Sequence, residues 1–191
     1  MADIWIVRHG ETAWSATGRH TGRTDVELTD AGRRDAGDLA AMLASAPRFG
    51  LVLTSPLRRA TETARLAGLE PATVDADLRE WDYGDYEGLT TPEIRARRPG
   101  WTIWTGPVPG GETIDDVATR ARRVLDRCAE AAGPVVLVAH GHLLRVLTAL
   151  HLGFPPSAGA AFALDAGAVG VLGHERETPA LRAWNLRCLA T

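Results

Sequence analysis

The sequence predicts a three-layer α/β/α fold, with helices on both faces of a central, mostly parallel sheet. Three observations carry this. Short apolar runs rich in β-branched residues alternate with stretches of helical periodicity, the pattern of strand–helix–strand units. The C-terminal part holds strand-like runs in succession with no helix between them, which predicts an antiparallel edge. The 191 residues are 45% hydrophobic and contain no repeat, low-complexity tract or linker, so residues 1–191 read as one domain.

The elements follow in order. Ile4–Val7 is a buried strand. Thr29 caps a helix over Asp30–Ala46, with Ala36, Leu39, Ala40 and Leu43 on one face. Leu51–Thr54 is a second strand, and Pro56 opens a helix over Leu57–Leu66. Ala72–Val74 is a short strand. Residues 79–89, rich in charge, aromatics and Gly, read as a loop. Thr91-Pro92 begins a short helix ending near Pro99, and residues 100–112 are irregular. Thr113 and Asp116 form a capping box for a helix reaching about Ala132. Val135–Ala139 is a strongly apolar strand, followed by a helix from His142 to about Leu152. Strands over 160–165, 167–172 and 181–185 complete the chain.

Composition removes several classes of function. All 21 basic residues are Arg and none is Lys, which excludes a Walker-type phosphate loop and a Schiff-base enzyme. With a formal net charge of -3 there is no basic excess for nucleic acid or a membrane surface. The Arg groups at 95–98 and 120–123 read as solvated helix faces. Cys128 and Cys188 belong to no metal-spaced cluster and read as buried free thiols. The opening MADIWIVRHG reads as a strand rather than a signal peptide, and no apolar run approaches the ~20 residues of a membrane helix. A cytoplasmic protein without metal or cofactor is expected.

In open α/β sheets ligands bind beyond the carboxyl ends of the strands. The predicted strand ends deliver Arg8-His9-Gly10, then Ser55-Pro56-Leu57-Arg58-Arg59, then Arg79-Glu80-Trp81-Asp82-Tyr83, and finally His140-Gly141-His142. Arginine offers a fixed, planar fork of donors to phosphate oxygens. Neutral imidazole is a nucleophile that needs no metal, and a carboxyl group can protonate a leaving oxygen and then deprotonate water. Taken singly, each of these residues has an ordinary structural reading. Together at one rim they suit two-step phosphomonoester hydrolysis. The residues alone leave Asp82, Asp85 and Glu87 as rivals to Glu80 for the carboxyl role.

Arg8-His9-Gly10-Glu11-Thr12 resembles the signature of the histidine phosphatase superfamily, phosphoglycerate-mutase-like branch. The likeness extends through Trp14, Thr21-Gly22, Asp25, Ser55-Pro56-Leu57-Arg58-Arg59-Ala60, Leu78-Arg79-Glu80, Tyr83-Gly84, Gly110-Gly111-Glu112 and His140-Gly141-His142. The run from Glu80 to Pro92 is especially similar to short acid phosphatases of actinobacterial type. The resemblance implies that His9 is phosphorylated, that Arg8, Arg58 and His140 hold the transferring group, and that Glu80 is the proton donor. It places substrate contacts at Arg8, Ser15, Thr21, Gly22, Arg58, His140 and Gly141. Ser15 stands where many relatives have Asn and has a shorter reach. It implies a neutral His9, its pKa depressed by nearby arginines, a His140 charged by the substrate phosphate, and a bell-shaped pH profile on the acidic side. A homodimer is implied as well.

The implied activity is a metal-independent phosphomonoesterase acting on small phosphorylated metabolites. Two alternatives stand beside it: a cofactor-dependent phosphoglycerate mutase, and a catalytically weak module that binds phospho-ligands. Mutases of the branch carry a long insertion over the site, and only residues 81–139 separate Glu80 from His140 here. Trp14, Trp81, Tyr83, Trp101 and Trp104 are candidate walls of the leaving-group pocket. Arg19, Arg23, His142 and Arg145 are candidates to hold a second anion.

Overall fold

The computed structural model describes residues 2–187. Strands β1 (Ile4–Arg8), β2 (Leu51–Thr54), β3 (Thr73–Val74), β4 (Val135–Ala139), β5 (Val169–Glu175) and β6 (Thr178–Leu186) form one sheet of order β3-β2-β4-β1-β5-β6. The first four in that order run parallel, while β5 pairs antiparallel with β1 and β6 antiparallel with β5. The expected mostly parallel sheet with an antiparallel edge is what forms. Its helices are α1 (Ala13–Ala16), α2 (Asp30–Leu43), α3 (Arg58–Leu66), α4 (Thr91–Arg97), α5 (Ile114–Ala129) and α6 (Gly141–His151).

The two-residue period of β4 divides the core between the faces. Val135, Leu137 and Ala139 join Ile4, Ile6 and Leu53 against Val117, Val124, Leu143 and Leu147 of α5 and α6. Val136 and Val138 join Val7 against Leu39, Leu43, Ala60 and Ala64 of α2 and α3. All five residues of β4 are buried. At about 1.5–3 kcal/mol for each fully buried Val or Leu, this strand is a main anchor of both layers. The predicted caps form: Thr29 Oγ1 accepts from Gly32 N, and Thr113 with Asp116 closes a reciprocal capping box on α5. Among the described residues no helix is long and apolar enough to cross a membrane.

The structure departs from the sequence expectations in places. The expected strand over 160–165 is absent: Pro156–Ala161 forms a 3₁₀ turn and the chain then runs irregularly. Proline favours that turn, and the edge of β1 is already taken by β5. The expected strand at 167–172 begins only at Val169, because Gly167 turns the chain at φ 69°. The helix expected to reach Ala46 ends at Leu43. A short helix, α1, and a 3₁₀ turn at Gly84–Tyr86 lie where no regular element was expected. The 120–123 arginines are not simply a solvated face, since Arg120 is buried. Cys128 is buried and its thiol is pushed up to about 12 by desolvation, whereas Cys188 lies outside the described residues.

Candidate active site

The register of the two central strands brings the two histidines together. Arg8 pairs with Ala139 at the ends of β1 and β4, so His9 and His140 leave the sheet side by side. His9 N donates to Ala139 O at 3.0 Å, and the imidazole centroids lie 5.1 Å apart. Ser55, leaving β2, donates its N–H to Val138 O and joins the same rim. Gly10 is required here, because a Cβ would sit 2.3 Å from Gly32 O, where α2 packs on the loop after β1.

His9 is 5% exposed and its Nδ1 lies 2.7 Å from Gly10 O. A carbonyl only accepts, so Nδ1 carries the hydrogen and Nε2 keeps its lone pair. Burial pushes the His9 pKa well below its ordinary value, and the Arg59 and Arg8 charges push it further the same way. The expectation of a neutral His9 holds, with desolvation ahead of the arginines as the cause. His140, fully buried, accepts at Nδ1 from Arg59 Nε at 3.2 Å and therefore donates from Nε2 to Ser55 Oγ at 2.7 Å. Its pKa is likewise pushed well down, by burial first and then by Arg59. His140 is thus neutral in this structure, not in the charged form that bound phosphate was expected to induce.

Of the two neighbouring arginines that open α3, the expected one, Arg58, faces away from the histidines. The Arg58 side chain is 64% exposed and pairs with Glu27 at 2.7 Å. It is Arg59 that points inward: fully buried, it donates to Thr24 O, Thr21 O and Gly22 O as well as to His140. Adjacent helical residues point about 100° apart, so only one of the pair can share the buried face of Ala60, Thr63 and Ala64. Arg59 has that phase, four residues before Thr63; the signal was present in the sequence.

Glu80 is 8% exposed. Its Oε1 accepts from Trp81 N and Leu143 N at 2.9 Å, and its Oε2 from His142 N at 3.0 Å. The first turn of α6 is therefore committed to this carboxyl group. Its neighbours are occupied elsewhere. Asp82 pairs with Arg23, Glu87 accepts from Gly22 N and Thr24 N, and Asp85 is exposed. Arg120 holds the Glu80 segment from below, donating to Asp77 O, Arg79 O and Glu80 O while paired with Glu112. Sequence reading missed this anchor, although Arg120 is in helical phase with the buried Val117 and Val124.

A cavity of about 480 Å³ opens over these groups. Arg8, His9, Glu80 and Gly141 line one part of it, and among the described residues Glu80 is the only carboxylate in the lining. Gly141 leaves room for the Arg8 guanidinium, whose Cζ would be 3.3 Å from a Cβ there. Arg8 donates from Nη1 to Leu164 O, and its Nε is buried without a partner. Ser15 and Thr21 also line the cavity, but the Ser15 hydroxyl is tied to Thr12 in the cap of α1. Gly22 lies outside the lining; its backbone serves Glu87 and Arg59. Tyr83 and Trp104 are the aromatic walls. Trp81 and Trp101 are core residues instead, Trp101 pinning the loop through Pro107 O. Among the described residues no group of three or more His, Cys, Asp or Glu is placed to hold a metal ion.

The sequence–structure pattern has relatives of known kind. A family model described as "Histidine phosphatase superfamily (branch 1)" matches residues 4–187. The chain is 44% identical over 176 residues to an acid phosphatase of Mycobacterium tuberculosis, covering 90% of this chain and 86% of that protein. A solved structure of an open reading frame product from the same organism superposes with TM-score 0.94 at 40% identity, covering 97% of this chain and 98% of that one. A mycobacterial glucosyl-3-phosphoglycerate phosphatase solved with VO3 superposes with TM-score 0.86 at 33% identity, covering 97% and 99%. The histidines joined by β1 and β4, the carboxyl group at α6 and these matches lead to one assignment: the chain belongs to the histidine phosphatase superfamily, branch 1.

Proposed function

We propose that this phosphatase hydrolyses small phosphorylated metabolites in two steps through a phosphohistidine at His9, without a metal ion. The observation that carries the proposal is the hydrogen bond from His9 Nδ1 to Gly10 O, which leaves the Nε2 lone pair free beside the cavity. Nε2 attacks phosphorus in line, the ester P–O bond breaks, and Glu80 donates its proton to the departing oxygen. The imidazole becomes cationic as the N–P bond forms, and Gly10 O stabilises that charge through Nδ1–H. Water then attacks phosphorus and gives its proton to Glu80. The N–P bond breaks and neutral His9 returns.

Charge on the transferring oxygens is met by Arg8, which lines the cavity, and by the fixed Arg59–His140 pair behind His9. Arg59 rather than Arg58 takes the second arginine's role in this reading. Hydrolysis is favoured over return of the group to an acceptor, because exposed Gly18, Arg19 and Arg95 border the cavity and leave it open to water. The relative named as an acid phosphatase supports the same reaction class.

The experiment is acid-stable and acid-labile phosphate counting after rapid quench with p-nitrophenyl phosphate, in chelator. Wild type gives an acid-labile phosphoenzyme and phosphate release. His9→Ala gives neither. Glu80→Gln accumulates phosphoenzyme because its hydrolysis slows by ~10²–10⁴-fold. Undiminished turnover by His9→Ala, or loss of activity in chelator, overturns the proposal.

A further inference from the structure

Glu87 and Gly22 take no part in the chemistry described above, and neither lines the cavity. The Glu87 carboxylate is nevertheless committed to one loop. Its Oε1 accepts from Gly22 N at 2.9 Å and from Thr24 N at 3.1 Å, and its Oε2 from Gly22 N at 3.0 Å. Gly22 permits this approach, since a Cβ there would sit 2.7 Å from Glu87 Oε2 and 2.5 Å from Trp81 O. The loop is pinned separately at both ends. His20 N donates to Leu89 O and Gly88 N to His20 O, each at 2.9 Å. Asp25 Oδ1 accepts from Arg58 N at 2.8 Å, in the first turn of α3.

The carbonyls of the same loop hold Arg59. Its Nη2 donates to Thr21 O at 3.1 Å and Gly22 O at 3.0 Å, its Nη1 to Thr24 O at 2.9 Å, and its Nε to His140 Nδ1 at 3.2 Å. The peptide unit joining Thr21 to Gly22 therefore carries Glu87 on its N–H and Arg59 on its C=O. A planar trans peptide holds these two groups on opposite edges, so fixing one fixes the other. Carboxylate, peptide, guanidinium, imidazole and the Ser55 hydroxyl form one file of hydrogen bonds, in which each group polarises the next. Burial lowers the Arg59 pKa, and Glu87 is among the negative groups that oppose this.

We infer that Glu87 is a positioning residue for phosphoryl transfer: through the Thr21–Gly22 peptide it sets the orientation of Arg59, and through Arg59 the tautomer and placement of His140. It touches no substrate and donates no proton. The inference rests on the phosphatase reading for what Arg59 and His140 then do. Without the carboxylate the pinned loop stays in place, but the 21–22 peptide is free to rotate and its carbonyl no longer fixes the guanidinium. A glutamine of the same size does not replace it. Bonds to a charged acceptor are roughly twice as strong as neutral ones, and an amide offers one acceptor atom where the carboxylate offers two.

Steady-state kinetics of Glu87→Gln, Arg59→Lys and the double variant test it. Glu87→Gln should lower kcat for p-nitrophenyl phosphate by ~10–100-fold, with KM changed less. Because both residues act through one guanidinium, the double variant should fall no further than the slower single variant. Losses that multiply overturn the inference, as does a wild-type kcat in Glu87→Gln. Phenyl phosphate, whose leaving oxygen needs a proton more, should slow in the same proportion as p-nitrophenyl phosphate. A larger loss with phenyl phosphate would make Glu87 a proton donor and overturn the positioning role. Nitrogen-15 NMR of the imidazoles reads the link without turnover. In Glu87→Gln the His140 Nδ1 signal should move toward that of an unbonded ring nitrogen while the His9 signals stay; an unmoved His140 signal overturns the inference. A thermal melt verifies folding, and if Glu87→Gln does not fold, Glu87→Asp is taken through the same cycle and spectrum with the same criteria. If wild type releases no phosphate in a His9-dependent way, the phosphatase reading has failed, and the NMR comparison decides the positioning by itself.

Discussion

At the scale of single residues, the site depends on which way two neighbouring arginines point. Arg58→Ala removes an exposed ion pair worth about 0–1 kcal/mol and should leave kcat/KM within a few-fold of wild type. Arg59→Ala removes a buried charge, the partner of His140 Nδ1, and the clamp on three carbonyls from Thr21 to Thr24. Turnover should fall by ~10²–10³-fold. Arg59→Lys, which keeps the charge but loses the fork, separates loss of position from loss of charge, with a thermal melt to verify folding. The reverse ranking, Arg58→Ala inactive and Arg59→Ala active, would restore the sequence expectation. His9, Glu80 and His140 were legible as residues following apolar runs. Arg59 is set apart from Arg58 only by helix phase, which puts it on the buried face with Ala60, Thr63 and Ala64. The bonds from Glu80 to the first turn of α6 were not legible, since they join positions 62 and 63 residues apart.

At the scale of elements, the loop after β1 and the first turn of α2 meet backbone to backbone. A Cβ on Gly32 would lie 2.2 Å from Glu11 O. Gly32→Ala should therefore cost about 1–3 kcal/mol. It should also lower kcat by shifting the loop that carries Gly10 O, although residue 32 lines no part of the cavity. Melting temperature and kcat measured together test this; wild-type values for both would show that the contact relaxes freely. Where patterning was strong, the elements were readable: β2 and β4 match their expected limits, and the capping box at Thr113 and the N-cap at Thr29 mark true starts. The 160–165 segment misled because its apolar residues resemble a strand, while the edge of β1 is already taken by β5. Phe162 and Leu164 pack instead, Phe162 against Trp184 and Leu164 in the main core.

At the scale of the whole molecule, five of the six histidines, 9, 20, 140, 142 and 151, are held below their ordinary pKa chiefly by burial, His20 at about 4. Above the unfolded value near 6.5 both states are neutral at these positions and the stability is fully present. As pH falls below it, the unfolded chain takes up protons that the folded chain refuses, so stability declines until the folded pKa values are reached. His20 alone accounts for on the order of 3 kcal/mol once the pH is below about 4. Melts at pH 7.5 and pH 5 should show a clear fall in Tm at the lower pH, and an unchanged or higher Tm would contradict neutral burial. The acid limb of kcat/KM should meanwhile lie well below pH 6.5, because the His9 lone pair survives there.

The pairing of Arg8 with Ala139 has a wider consequence. The reactive imidazoles ride on the two innermost strands, whose side chains fill both cores, so a lineage cannot alter their spacing without losing the fold. Arg19, Thr91, Arg95 and Trp104 stand on peripheral turns and a short helix with little stake in the sheet. Such a molecule can change its diet while keeping its teeth: drift in the outer segments would retune which metabolite is accepted and leave the phosphorus chemistry intact.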